Sequence, residues 1–100
     1  MVTGAGGSIG SELCRQIMKL KPATLVLYDL NEFGLYAIER ELQSFDIDVP
    51  IFAILGNVQD QKRIESACSR YAINTIYHAA AYKHVPMVER NTTEGVRNNV

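Results

Sequence analysis

Thr3-Gly4-Ala5-Gly6-Gly7-Ser8-Ile9-Gly10 spaces glycines at positions 4, 7 and 10, between a short apolar run and a helical pattern. Position 9 is Ile, so the form is G-x-x-G-x-x-G and not G-x-G-x-x-G. A strand that turns at once into a helix needs a tight exit. It also needs a place without a Cβ where backbone can approach a ligand, and close packing of the helix start on the strand. Backbone N–H groups at that helix start, aided by the helix dipole, suit a pyrophosphate. A phosphate loop of the G-K-[ST] kind is excluded, because Gly10 is followed by Ser11 and no such triplet occurs elsewhere. Glycine turns end many strands, so the motif depends on what surrounds it.

Outward from the turn, apolar runs alternate with helical patterns. Leu25 to Tyr28 forms a strand run that ends at Asp29, Ile51 to Leu55 a second stopped by Gly56, and Asn74 to His78 a third. Continuous apolar runs of this length fit strands covered on both faces of a parallel sheet. Ile9, Leu13, Ile17 and Leu20 predict one apolar face for a helix over Ser8 to Leu20. Leu35, Ile38, Leu42 and Phe45 mark a second helix with Asn31 as N-cap. Asp60 caps a third, whose inner face is Ile64, Ala67, Cys68 and Tyr71. A fourth pattern starts near Pro86 and carries Val88, Thr92, Val96 and Val100. Four strands and four helices in strict alternation predict an α/β, Rossmann-type doubly wound parallel sheet, with right-handed crossovers placing helices on both faces. Met1, Val2 and Thr3 are short of an ordinary central strand, and the last helix meets no stop signal before Val100. Residues 1–100 are therefore expected to be the N-terminal portion of a dinucleotide-binding domain, truncated at both ends.

Four strand ends carry ligand-suited residues, and ligands in such sheets bind at those ends, beside the switch point. Asp29 lies 19 residues after Gly10, where a carboxylate accepts from the adenosine ribose hydroxyls. A turn or helix-cap aspartate would also fill that position. Asn57 and Val58, after Gly56, offer an amide and an apolar neighbour to an adenine edge and face. Ala79-Ala80-Ala81 lets backbone lie against a cofactor. Lys83 follows closely, either as a cation for phosphate or sugar or as an exposed lysine at a helix start, while His84 reads as solvated or capping.

The composition narrows the classes. Apolar residues make up 47% and charged residues 21%, with a net charge of −1, so no general attraction to nucleic acid is built in. No apolar run approaches the roughly 18 residues of a membrane span, and no signal-peptide pattern opens the chain. A cytoplasmic setting without membrane contact from this segment is the expectation. Cys14 and Cys68 have no metal-ligand spacing and read as buried reduced thiols, so no metal site is expected.

The stretch from Thr3 to Leu13, then Tyr28-Asp29-Leu30-Asn31-Glu32, His78-Ala79-Ala80-Ala81-Tyr82-Lys83-His84-Val85-Pro86 and Asn98-Asn99-Val100, resembles the CapD-like polysaccharide biosynthesis proteins. These are nucleoside-diphosphate-sugar 4,6-dehydratases and epimerases of the extended short-chain dehydrogenase/reductase superfamily. The glycine motif is superfamily-wide, whereas the Ala-Ala-Ala-Tyr-Lys-His-Val-Pro stretch is far more specific to this branch.

The resemblance implies a cofactor, NAD or alternatively NADP, and a UDP-sugar substrate such as UDP-N-acetylglucosamine. In that reaction a hydride leaves sugar C4, water is lost across C5 and C6, and the hydride returns to C6. By position, Gly4, Gly6, Gly7, Ser8, Ile9 and Gly10 would surround the pyrophosphate, with Asp29, Asn31 and Glu32 around the adenosine ribose. Asn57 and Val58 would meet adenine, and Ala79 and Ala80 would line the cofactor. Lys83 would reach both cofactor and sugar nucleotide, and Asn99 would lie beside the active site. Asn57 departs from the family's usual Asp, and Asn91-Thr92-Thr93 lacks a proline common there. The family's acid/base Asp-Lys pair and its Tyr-or-Met-x-x-x-Lys element fall beyond Val100, so no catalytic residue is assigned to this segment. The full-length parent is expected to form a homo-oligomer, and many members carry transmembrane helices ahead of this domain. A UDP-sugar 4-epimerase and a non-catalytic dinucleotide-binding module are the alternative functions.

Overall fold

The computed structural model describes residues 1–79. Their order is β1 (Val2–Thr3), α1 (Ser8–Lys19), β2 (Leu25–Asp29), α2 (Glu32–Gln43), β3 (Ile51–Leu55), α3 (Gln61–Arg70) and β4 (Tyr77–His78). All four strands are parallel, in the order β3-β2-β1-β4. The crossing from β3 back past β1 to β4 puts the switch point between β1 and β4. The predicted Rossmann-type doubly wound sheet is thus present with three of its helices. The fourth helical pattern lies outside the described residues.

Two apolar layers enclose the sheet. On one face Val2, Leu25 and Leu27 pack with Cys14 and Met18 of α1 and Leu35, Ile38 and Leu42 of α2. On the other, Met1, Val26, Tyr28 and Ile76 pack with Ile64 and Ala67 of α3. Successive β2 residues alternate between these layers, as the pleat demands, so β2 is buried on both sides. Each buried Leu or Ile contributes about 1.5–3 kcal/mol over its exposed state. Arg15 adds a link between helices, its Nε donating to Glu41 Oε2 at 2.7 Å.

Three expectations need correction. The buried face of α1 is Gly10, Cys14 and Met18, with Leu13 and Ile17 at its margin; Ile9 is 48% exposed and Leu20 76%. The helix is rotated because Gly10, which has no side chain to betray it, is the residue that meets the turn following β1. β3 is only partly covered, because it is the outer strand among the described residues and Phe52 remains exposed. The run from Asn74 becomes strand only at Tyr77, since its partner β1 offers just Val2 and Thr3 for pairing. Of the thiols, Cys14 is buried and its pKa is pushed up to about 12 by burial, while Cys68 is partly buried.

Helix α3 ends on Ala72, whose φ of 53° is left-handed. Ile73 N donates to Cys68 O at 2.9 Å across this turn. Glycine holds that conformation without the roughly 1–2 kcal/mol that a Cβ costs there. Ala72→Gly is expected to stabilise the domain by about 1 kcal/mol, after allowance for the extra disorder glycine brings to the unfolded chain. Urea unfolding reads this as a higher midpoint at unchanged slope, and a lower midpoint would contradict it.

Candidate dinucleotide cleft

The carboxyl ends of β1, β2 and β4 open on a cleft of about 380 Å³. The glycine turn supplies Gly4, Gly7, Ser8, Ile9 and Gly10 to its wall. Asp29 and Asn31 enter from the end of β2, and Ala79 from the end of β4. Eight of the sequence-derived site residues therefore share one concavity.

The turn is built by two short contacts and one torsion. Gly4 N donates to Tyr28 O at 2.8 Å, and Gly7 N to Gly4 O at 3.1 Å. Gly4 has φ 73°, which glycine adopts without strain. Beyond it, a Cβ on Gly10 would fall on the Gly4 carbonyl, so α1 can sit this close to β1 only with glycine there. A Cβ on Gly7 would meet nothing nearer than Gly4 O, at 3.6 Å. Gly7 is exposed and has an extended backbone, φ −82° and ψ 175°. The space that its missing side chain leaves is the cleft itself.

Electrostatics at the start of α1 differ from those of the other helices. Asn31 caps α2 through Gly34 N, and Asp60 caps α3 through Arg63 N. Gly7 gives α1 no side-chain cap, and no acidic residue lies in its first turn. The first-turn N–H groups and the positive end of the dipole are thus left for an anion.

Asp29 organises the opposite wall. Its Oδ2 accepts from Gly6 N at 2.7 Å, and its Oδ1 from Leu30 N at 2.7 Å and Asn31 N at 3.1 Å. Three of the four lone-pair sites of the carboxylate are in use, and one remains. Gly6 thereby takes a place apart from the other turn glycines. Its N–H serves Asp29, and a Cβ on it would strike Gly34 C at 2.6 Å and Leu35 N at 2.7 Å. Gly34 repays the contact, since its own Cβ would meet Gly6 O at 2.8 Å. This glycine-on-glycine seat between the turn and α2 was not foreseen. A glycine inside a helical pattern was its signal.

A second unforeseen pair lies beneath the cleft floor. Thr3 and His78 are register neighbours on β1 and β4, and Thr3 Oγ1 is hydrogen-bonded to His78 Nδ1 at 3.0 Å. Burial lowers the His78 pKa, so the ring is neutral near pH 7. Its Nε2 is buried without a hydrogen-bond partner among the described residues.

The remaining candidates fall elsewhere. Glu32 is exposed in the first turn of α2, outside the cleft wall. Asn57 and Val58 are exposed past the end of β3 and do not line the cleft. Asn57 Oδ1 accepts from Gln59 N at 2.8 Å, which fixes the amide so that Nδ2 is the outward donor. Ala80, Lys83 and Asn99 lie outside the described residues. Among the described residues no cluster of three or more His, Cys, Asp or Glu could hold a metal ion. No helix among them is long and apolar enough to cross a membrane.

Comparison with known proteins gives a consistent set of relatives. The family model described as polysaccharide biosynthesis protein matches residues 1–100. The capsular polysaccharide biosynthesis protein CapD of Staphylococcus aureus is 41% identical over 101 residues, covering all of this chain and 17% of that protein. A UDP-N-acetylglucosamine 4,6-dehydratase (inverting) of Campylobacter jejuni is 28% identical over 101 residues, with all of this chain and 28% of that protein covered. A UDP-glucose 4-epimerase of Rickettsia rickettsii is 27% identical over 104 residues, with all of this chain and 29% of that protein covered. The chain thus spans between about a sixth and under a third of the length of these relatives.

Proposed function

Because this chain belongs to the polysaccharide biosynthesis protein family, we propose that its cleft holds NAD and that the whole protein is a UDP-sugar 4,6-dehydratase. The observation that carries the cofactor reading is the place of Gly7. It stands at an uncapped helix start, in a position where a side chain would project into the cleft rather than into the fold.

In this reading the N–H groups at the start of α1 hold the pyrophosphate through charge-assisted hydrogen bonds. The remaining acceptor site of Asp29 takes a ribose hydroxyl without giving up any contact of the turn. Ala79 lets the dinucleotide pass close to the end of β4. Asn57 Nδ2 and Val58 serve the adenine edge and face from the end of β3, with Asn57 donating where an aspartate would accept. When bound, the nicotinamide supplies a reversible hydride acceptor. By the family resemblance, Lys83 would contact both cofactor and sugar nucleotide, with Asn99 beside the active site.

Dehydration also needs a base for the C5 proton and an acid for the departing hydroxyl, each within hydrogen-bond reach of the sugar. The elements that would supply them follow Val100 in the family pattern, so residues 1–100 alone are expected to be inactive. The substrate reading is supported by the Campylobacter jejuni relative, a UDP-N-acetylglucosamine 4,6-dehydratase. The test is incubation of the full-length protein with UDP-N-acetylglucosamine, followed by mass spectrometry. The expected product has lost one water. A product of unchanged mass that is the C4 epimer would transfer the assignment to the second reading, a 4-epimerase, which the Rickettsia relative favours.

A further inference from the structure

We propose that the outer edge of β3 is a docking groove for an extended, acidic segment of another polypeptide, which adds to the sheet as a fifth strand. Two hydrogen bonds fix which backbone groups face outward. Leu25 N donates to Pro50 O and Gly56 N to Asp29 O, each at 2.9 Å. In a parallel ladder the direction alternates along the strand, so Pro50, Phe52, Ile54 and Gly56 bond toward β2. The N–H and C=O groups of Ile51, Ala53 and Leu55 therefore point away from it. Among the described residues no strand lies beyond β3.

This edge lies in a cleft of about 360 Å³, between Tyr36 of α2 and Arg63, Ser66 and Arg70 of α3. Such a cleft along an open edge is the geometry of strand addition, in which main-chain bonds give affinity and flanking side chains give specificity. The two flanks differ in chemistry. On the α2 side Tyr36 and Leu55, both exposed, present apolar surface. On the α3 side are two guanidinium groups. Arg63 Nε donates to Leu55 O at 3.1 Å, and the Arg70 Cζ lies 5.6 Å from the centroid of the Tyr71 ring, itself stacked on Phe52. Ion pairs among the described residues engage Arg15 and neither of these arginines.

The charge selects the occupant. Side chains of an added strand alternate between the two flanks, so acidic residues at alternate positions would meet Arg63 and Arg70 while apolar ones meet Tyr36 and Leu55. The two arginines are seven residues apart on α3, about 10 Å along the helix axis. At roughly 3.3 Å per residue, acidic positions two to four apart on a strand reach both. A second copy of the same edge fits poorly. Antiparallel self-pairing keeps α3 of both copies on one face, which sets arginine beside arginine.

The test uses the full-length protein and fluorescence anisotropy with a labelled seven-residue peptide that alternates glutamate and valine. The same peptide with lysine for glutamate is the control. We expect saturable binding of the glutamate peptide and at least tenfold weaker binding of the lysine peptide. Arg63→Glu with Arg70→Glu should abolish the former. Ala53→Pro removes an outward N–H without touching a bond to β2, and should weaken binding at least tenfold while NAD binding is unchanged. If Ala53→Pro misfolds, amide exchange in the wild type reads the same point, through peptide-induced protection at Ala53 and Leu55. Absence of binding, equal binding of both peptides, or binding indifferent to the arginine reversal would overturn the proposal. So would a dimer that Ala53→Pro dissolves, which would assign the edge to a second copy. None of these outcomes bears on the cofactor cleft.

Discussion

Gly7→Val is expected to weaken NAD binding by the full-length protein roughly a hundredfold or more and to leave the domain folded. Valine accepts the extended backbone of position 7, where φ is −82° and ψ 175°. Its Cβ would have Gly4 O at an ordinary 3.6 Å as its nearest neighbour. The fold loses only the difference between glycine and valine at an N-cap, about 1 kcal/mol. The ligand loses far more. Two branched methyl groups would occupy the gap where backbone meets pyrophosphate. Each charge-assisted hydrogen bond lost is worth about 1.5–3 kcal/mol, so two account for a hundredfold or more. Isothermal titration with NAD, beside a circular dichroism melt, separates the two effects. Undiminished affinity in a folded Gly7→Val would mean that the glycine serves only the turn.

Gly10→Ala should do the reverse and damage the fold itself. Its Cβ would coincide with the Gly4 carbonyl and crowd the Ala5 Cα at 3.0 Å, and both are backbone atoms held by the turn. Relief requires α1 to move off β1, which opens the layer where Cys14 and Met18 meet Val2. Overpacking of a well-filled core costs about 1–3 kcal/mol. A rigid backbone neighbour places this substitution at or above the upper end, near 3 kcal/mol. Urea unfolding should therefore show a large fall in midpoint for Gly10→Ala and little change for Gly7→Ala. Equal, small shifts in both would contradict the close seating of α1 on the glycine turn.

These two glycines show how the sequence could be read and where it fell silent. The positions of β2, β3 and the caps Asn31 and Asp60 follow from local patterns, because a buried run and a capping side chain act within a few residues. The gathering of Gly4, Gly7, Gly10, Asp29 and Ala79 round one cleft follows from topology, since parallel strands deliver their carboxyl ends to one edge. What depends on distant partners was not legible. The rotation of α1 hid behind a glycine that no hydrophobic pattern counts. The contact of Gly6 with Gly34 and the pair of Thr3 with His78 join residues 28 and 75 positions apart. The glycines also differ in their surroundings: a Cβ on Gly10 or Gly6 would strike backbone, whereas one on Gly7 would meet nothing nearer than Gly4 O at 3.6 Å.

Under the proposed function, Asp29 and the glycine turn together select NAD. Its carboxylate stands at the cleft wall, where it would face the 2′-phosphate of NADP. Among the described residues no cation lines the cleft to offset that repulsion. Lys21 follows the far end of α1, and Arg40 lies in the last turn of α2, eight residues past its first, or about 12 Å along the axis. Like charges at a partly solvated site cost about 1–3 kcal/mol, which corresponds to roughly ten- to a hundredfold in affinity. Parallel calorimetric titrations of the full-length protein with NAD and with NADP measure this directly. NAD is expected to bind at least about tenfold more tightly; tighter binding of NADP, or no binding of either, would overturn the assignment of Asp29.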